Sequence, residues 1–130
     1  MKLTFGGAAG TVTGSRHLFQ EGTHAWLLDC GLFQGYKQLR LRNRTPLPIG
    51  ARRISAVVLS HAHLDHSGYL PALARDGFRG PIYASAATRD LCEILLKDSA
   101  HLQEEEARFA NRHGCTRHEP AEPLYTVDDA

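Results

Sequence analysis

The segment from Ile54 to His66 constrains this chain more than any other. Ile54-Ser55-Ala56-Val57-Val58-Leu59 is a β-branched apolar run, as expected of a strand covered on both faces. Directly after it, His61-Ala62-His63-Leu64-Asp65-His66 packs four metal-ligating side chains into six positions. His61 and His63 are two residues apart, so in extended backbone both imidazoles project to one side and can share an ion. Asp65 and His66 fall where the chain leaves the strand and can turn toward a second ion. Imidazole with carboxylate suits zinc, with manganese or iron as alternatives. In open α/β sheets, ligand sites lie beyond the carboxyl ends of the strands, where this box falls. A solvated loop has no need of three imidazoles and a carboxylate so close together, so the box is expected to be a metal site. Hydrolysis is the expected chemistry, because divalent ions acidify bound water and stabilise charge developing on a phosphoryl or carbonyl oxygen.

The rest of the chain reads as short strands followed by alternating strand and helix. Lys2 to Phe5, Arg16 to Gln20 and His24 to Leu28 are expected strands. Gly6 to Gly14 is expected to turn between the first two, and Glu21-Gly22-Thr23 to close a hairpin. Gly35 to Gly50, with Pro46 and Pro48, shows no period and is expected to be loop. Tyr69 to Arg75 is a short helix candidate and Pro81 to Ala84 a further strand. From about Thr88 to Arg112 the period is helical, with Leu91, Leu95, Leu102 and Phe109 expected on the buried face and Gly114 as the stop.

At 130 residues a compact chain buries roughly two thirds of its unfolded surface, enough for a core without staples. No apolar run approaches the roughly 18 residues that span a bilayer, and Met1 to Gly10 lacks a secretory pattern, so no membrane partner is expected and the cytoplasm is the default. Cys30, Cys92 and Cys115 are widely spaced, which suggests reduced thiols and neither a disulfide framework nor a zinc ribbon. The formal net charge of +1 argues for no particular partner, but its distribution is uneven. Between Asp29 and Asp65 there is no acidic residue, while Lys37, Arg40, Arg42, Arg44, Arg52 and Arg53 supply six cations that could meet a polyanion. From Asp98 onward the sign reverses, and the plainest expectation is two solvated segments of opposite sign facing each other.

His61-x-His63-x-Asp65-His66 resembles the signature of the metallo-β-lactamase superfamily. The flanking blocks narrow the likeness to its β-CASP branch of RNA-processing nucleases. They are Gly6 to Leu18 with Thr13-Gly14-Ser15, Leu28-Asp29-Cys30-Gly31 with Phe33-Gln34-Gly35, Ser60 to Leu73 with Ser67-Gly68-Tyr69-Leu70-Pro71, Pro81-Ile82-Tyr83, Asp98 to Glu105, and Pro123-Leu124-Tyr125-Thr126. The resemblance implies an α/β fold, with residues 1–130 as the N-terminal half of an αββα sandwich and the β-CASP insertion and C-terminal half absent. It implies His61 and His63 as ligands of one zinc, Asp65 and His66 as ligands of the second, and Asp29 and Asp65 as the catalytic carboxylates. Asp29 would act from a strand end by orienting the site. It further implies a zinc-dependent phosphodiesterase acting on RNA. Family members draw further ligands from chain beyond the equivalent of Ala130, so these 130 residues are expected to bind metal weakly, to turn over little and to self-associate through exposed apolar surface. Alternatives are a small-molecule hydrolase acting on a thioester, lactone or β-lactam, and a non-catalytic metal-binding fragment.

Other clusters carry blander expectations. The glycines at 6, 7, 10 and 14 lack a phosphate-loop spacing and read as a tight turn. His113, Cys115 and His118 read as a polar loop. Asp98, His101 and Glu105 share a helical face that lacks a partner helix. Ser60 and Ser67 flank histidines without the order of a catalytic triad.

Overall fold

A computed structural model describes residues 1–114 and 120–130. Its elements are strands β1 (Lys2–Phe5), β2 (His17–Glu21) and β3 (His24–Leu28), helix α1 (Lys37–Leu41), strand β4 (Ala56–Val58), helices α2 (Leu64–Ser67) and α3 (Leu70–Arg75), strand β5 (Ile82–Tyr83) and helix α4 (Ala86–His113). The strands form one sheet in the order β1-β2-β3-β4-β5. The first three pair antiparallel as a meander, while β3, β4 and β5 run parallel. Parallel neighbours need a crossover, supplied by the long excursion through α1 and then by α2 and α3.

Side-chain alternation divides the sheet into two unlike faces. Leu18, Ala25, Leu27 and Val57 point to the covered face and join one core with Leu70, Leu73, Phe78, Cys92, Leu96 and Tyr125. On the opposite face the register aligns Leu3, Phe19, Trp26 and Ala56 in one row and Phe5, His17, Leu28, Val58 and Tyr83 in the next. Phe19 and Trp26 stack flat there, with ring centroids 4.1 Å apart, and Leu3, Phe5, Trp26 and Tyr83 are exposed.

Two expectations need correction. The stretch 35–50 is not all loop: it holds α1 and a 3-10 turn at Arg42–Arg44, followed by another at Ala51–Arg53. The α4 face expected to be buried is largely exposed, with Leu102 at 52% and Phe109 at 61%. The buried stripe is Thr88, Cys92, Leu96, Ser99 and Ala100 instead. Small side chains at 99 and 100 let the helix approach the body, and the Tyr125 hydroxyl donates to Ser99 Oγ at 2.9 Å. Helical period alone cannot choose between adjacent faces when one is larger and the other packs closer. The stop is as the sequence suggests: Gly114 ends the helix at φ 61°, a left-handed conformation that favours glycine. At the other end Ser85 Oγ accepts from the Thr88 N–H.

Candidate metal centre

The site lies where β3 and β4 end side by side. Leu28 and Val58 are in register, so the residues that follow, Asp29 after β3 and Leu59-Ser60 after β4, leave the sheet together. The Asp29 N–H donates to the Val58 carbonyl at 2.8 Å, and Asp29 then turns into the left-handed region at φ 60°. Aspartate tolerates that conformation better than most residues. The turn aims its buried carboxylate across the end of β4. Oδ1 accepts from the Ser60 N–H at 2.8 Å. Oδ2 accepts from Ser15 Oγ at 3.0 Å, Ser60 Oγ at 3.1 Å and His66 Nδ1 at 2.8 Å. Burial pushes the Asp29 pKa up, but the hydrogen bonds from Ser60, His66 and Ser15 outweigh it and hold the carboxyl below its ordinary pKa.

The box gathers its four side chains at this spot. The His61 and His63 rings meet edge to face with centroids 4.8 Å apart, and the His61 and His66 rings lie 4.0 Å apart. Helix α2 then brings Asp65 and His66 together, with His66 Nε2 at 3.5 Å from Asp65 Oδ2. Because Asp29 engages Nδ1, His66 carries its proton there and keeps the Nε2 lone pair for a ligand. These donor types fit zinc. Their number does not close a site: among the described residues, no three His, Cys, Asp or Glu side chains are grouped so as to hold an ion by themselves.

A backbone strap carries the box. The Cys30 N–H donates to the His66 carbonyl at 2.7 Å, Leu32 to Leu64 at 2.8 Å and Ser15 to Asp65 at 2.8 Å, while Gly31 donates to Ser15 at 2.9 Å. Gly31 has no room for a side chain, since a Cβ there would sit 1.7 Å from the Asp65 carbonyl oxygen. Arg16 locks the strap from behind. Its Nε donates to the Gly31 carbonyl at 2.7 Å and Nη2 to Asn43 Oδ1 at 3.0 Å. The buried guanidinium lies 3.9 Å from the Tyr69 ring centroid and 5.1 Å from that of Phe33. Delocalised charge and a flat apolar surface suit Arg to this role. Burial pushes the Cys30 thiol up to about 12, which makes it an inert core residue.

The remaining candidates are not grouped with the four box side chains. His101 Nε2 and Glu105 Oε1 form an exposed pair at 3.4 Å on α4. Ser67 Oγ donates to the Ala62 carbonyl at 2.8 Å and so braces the box. Gly14, at φ 74°, packs against the Phe33 ring, which supports the tight-turn reading of this glycine stretch. Cys115 and His118 lie outside the described residues. Sequence reasoning missed Ser15 and Ser60 as partners of Asp29, Gly31 as a point of backbone contact, and Arg16. The blocks Gly6 to Leu18, Leu28-Asp29-Cys30-Gly31 and Ser60 to Leu73 contain all four residues but gave none of them a role.

Comparison with known proteins yields consistent matches. The Metallo-beta-lactamase superfamily profile matches residues 11–122. Ribonuclease TTHA0252 of Thermus thermophilus is 48% identical over 105 residues, covering 81% of this chain and 24% of that protein. Transcription termination factor FttA of Methanocaldococcus jannaschii is 32% identical over 108 residues, covering 83% of this chain and 17% of that protein. The chain therefore spans about a quarter or less of the length of these relatives. Human tRNase Z, short form, superposes with a TM-score of 0.51 at 24% identity over 76% of this chain and 40% of that one, a likeness of fold.

Proposed function

This chain belongs to the metallo-beta-lactamase superfamily, and from that premise we propose that it carries the metal-binding part of a zinc-dependent ribonuclease of the β-CASP branch. In this reading His61 and His63 hold one ion and Asp65 and His66 a second, with manganese or iron as alternatives to zinc. The observation that carries it is the 2.8 Å contact of Asp29 with His66 Nδ1, which turns Nε2 toward Asp65 beside the His61 and His63 pair. Bound ions would supply Lewis-acid stabilisation of a phosphoryl oxygen and acidify water. Asp29 keeps a proton on His66 Nδ1, and Ser15 and Ser60 keep Asp29 in place. With two protein donors per ion, the coordination is left to be completed by other groups, so metal binding by these residues alone is weak. RNA as substrate is supported by the relatives named a ribonuclease and a transcription termination factor. We place its action in the cytoplasm as part of the same proposal. Among the described residues no helix is long and apolar enough to cross a membrane.

The test is metal content per chain after purification without chelator from zinc-replete medium, together with turnover of a labelled oligoribonucleotide and of a thioester, lactone and β-lactam panel. Wild type is expected to carry more zinc than His61→Ala, with any RNA cleavage abolished in His63→Ala. Hydrolysis of the small molecules alone favours the alternative hydrolase, zinc without turnover favours a non-catalytic metal-binding chain, and a wild type no richer in metal than His61→Ala overturns the reading.

The open sheet face bears on assembly. With Phe5, Trp26 and Tyr83 exposed on one surface, we expect two copies to cover it mutually. Light scattering should show mass rising with concentration, and Trp26→Lys should hold the chain monomeric; a wild type that stays monomeric at high concentration refutes the expectation.

A further inference from the structure

We propose that the arm from Phe33 to Asn43, carrying Tyr36, Lys37 and Arg40 at its tip, docks single-stranded RNA beside the candidate metal centre. The inference rests on RNA being the substrate and adds where the strand is held.

The arm leaves the sheet at the end where the box lies, since it follows directly on the strap, residues 30–32, that pairs with residues 64–66. Its base is fixed several times over. Phe33 N–H donates to Asn43 Oδ1 and Asn43 Nδ2 donates to the Phe33 carbonyl, each at 2.8 Å. The Arg42 guanidinium lies 4.2 Å from the Phe33 ring centroid, and the Gln34 N–H donates to Thr13 Oγ1 at 3.2 Å. Helix α1, held out on that base, contributes no buried residue to the protein. Nothing in the packing explains why it exists, while a rigid projection lowers the entropy cost of binding.

The tip has the composition of a single-strand platform. Tyr36 is 84% exposed, a large ring with a free face. Lys37 and Arg40 follow at spacings of one and four, and residues three and four apart share a helix surface. Neither cation meets a carboxylate within 4.0 Å among the described residues. An exposed ring beside backbone-seeking cations is how strands are bound without sequence readout. Arg44 is taken up by the Glu122 carbonyl. Arg40 and Arg44 also line a groove of about 550 Å³ whose far wall on α4 bears Asp98 and Glu106. Those carboxylates repel phosphate deep in the groove, which puts the strand along its rim at Tyr36, Lys37 and Arg40.

The test is fluorescence anisotropy of the full chain with a fluorescein-labelled oligouridylate in EDTA, so that binding is read without metal or turnover. Lys37→Glu with Arg40→Glu should weaken binding about 10-fold or more and flatten the log-log salt dependence by about 1.4, the loss of two phosphate contacts on a single strand. Tyr36→Ala should weaken it about 5-fold or more, and wild type should bind a duplex less tightly than the single strand. Circular dichroism and Tm should not move, because Tyr36, Lys37 and Arg40 are exposed and α1 has no fully buried residue. Arg52→Glu with Arg53→Glu, the same charge change away from the arm, should bind within about 2-fold of wild type. Equal weakening by both double variants, or no effect of Tyr36→Ala, overturns the proposal. Arm-dependent binding in a chain that carries no more zinc than His61→Ala would sink the metal-centre reading and leave the arm standing; zinc carried by wild type with arm variants that bind RNA like wild type would do the reverse.

Discussion

Gly31→Ala is expected to unfold the strap that carries the metal box. The added methyl would lie 1.7 Å from the Asp65 carbonyl oxygen and 2.7 Å from the His66 nitrogen, where backbone meets backbone and no rotamer change can relieve the overlap. Overpacking ordinarily costs about 1 to 3 kcal/mol, and more where neighbours cannot yield. Here relief requires separating residues 30–32 from residues 64–66, breaking the Cys30 to His66 and Leu32 to Leu64 hydrogen bonds. Thermal unfolding should show Tm lowered by roughly 10 °C or more, with zinc retention lost. Gly50→Ala is the control: nothing lies within 4 Å of its Cβ position, and it should change stability by less than about 0.5 kcal/mol. A Gly31→Ala protein that melts with wild type would mean the strap does not sit against α2.

Asp29→Ala should be nearly as damaging, for a different reason. One carboxylate accepts four hydrogen bonds, from the Ser60 N–H and from Ser15, Ser60 and His66 side chains. Its removal leaves the buried Ser15 hydroxyl and the less buried Ser60 and His66 donors without this acceptor, and a fully buried orphan costs about 1 to 3 kcal/mol. Alanine is also strained at the φ of 60° that Asp29 adopts. Chemical denaturation should show a loss of about 3 kcal/mol or more. Asp29→Asn separates the fold from the site. Asparagine tolerates the left-handed backbone and keeps one acceptor oxygen for Ser60. Its amide group, turned toward His66, cannot accept the Nδ1 proton, so the ring is free to reorient or change tautomer. That variant should fold near wild-type stability yet bind zinc about 10- to 100-fold more weakly. Unchanged zinc affinity in Asp29→Asn would show that Asp29 does not orient His66.

Several elements were legible because their signals are local. The three early strands, the apolar run into β4 and the glycine stop of α4 depend on residues within a few positions of each other, and the α/β class follows from them. α1 was not legible: Pro46, Pro48 and scattered arginines mask a helix of five residues held by contacts from Phe33, Asn43 and Thr13. The buried stripe of α4 was misread for a related reason. Larger side chains at 91, 95, 102 and 109 gave the stronger apolar pattern, but Ser99 and Ala100 allowed the closer approach, and Tyr125, arriving from 26 residues away, made that face the interior one.

By itself the sequence determined that four candidate ligand side chains emerge together from the end of a strand, since their spacing along the backbone requires it. Only the tertiary structure decided that Asp29 would meet His66 across 37 positions, and that Gly31 would lie against Asp65. Both depend on β3 and β4 pairing parallel with Leu28 opposite Val58. A register is a property of two distant segments and of the core that both help to bury, and neither segment specifies it alone.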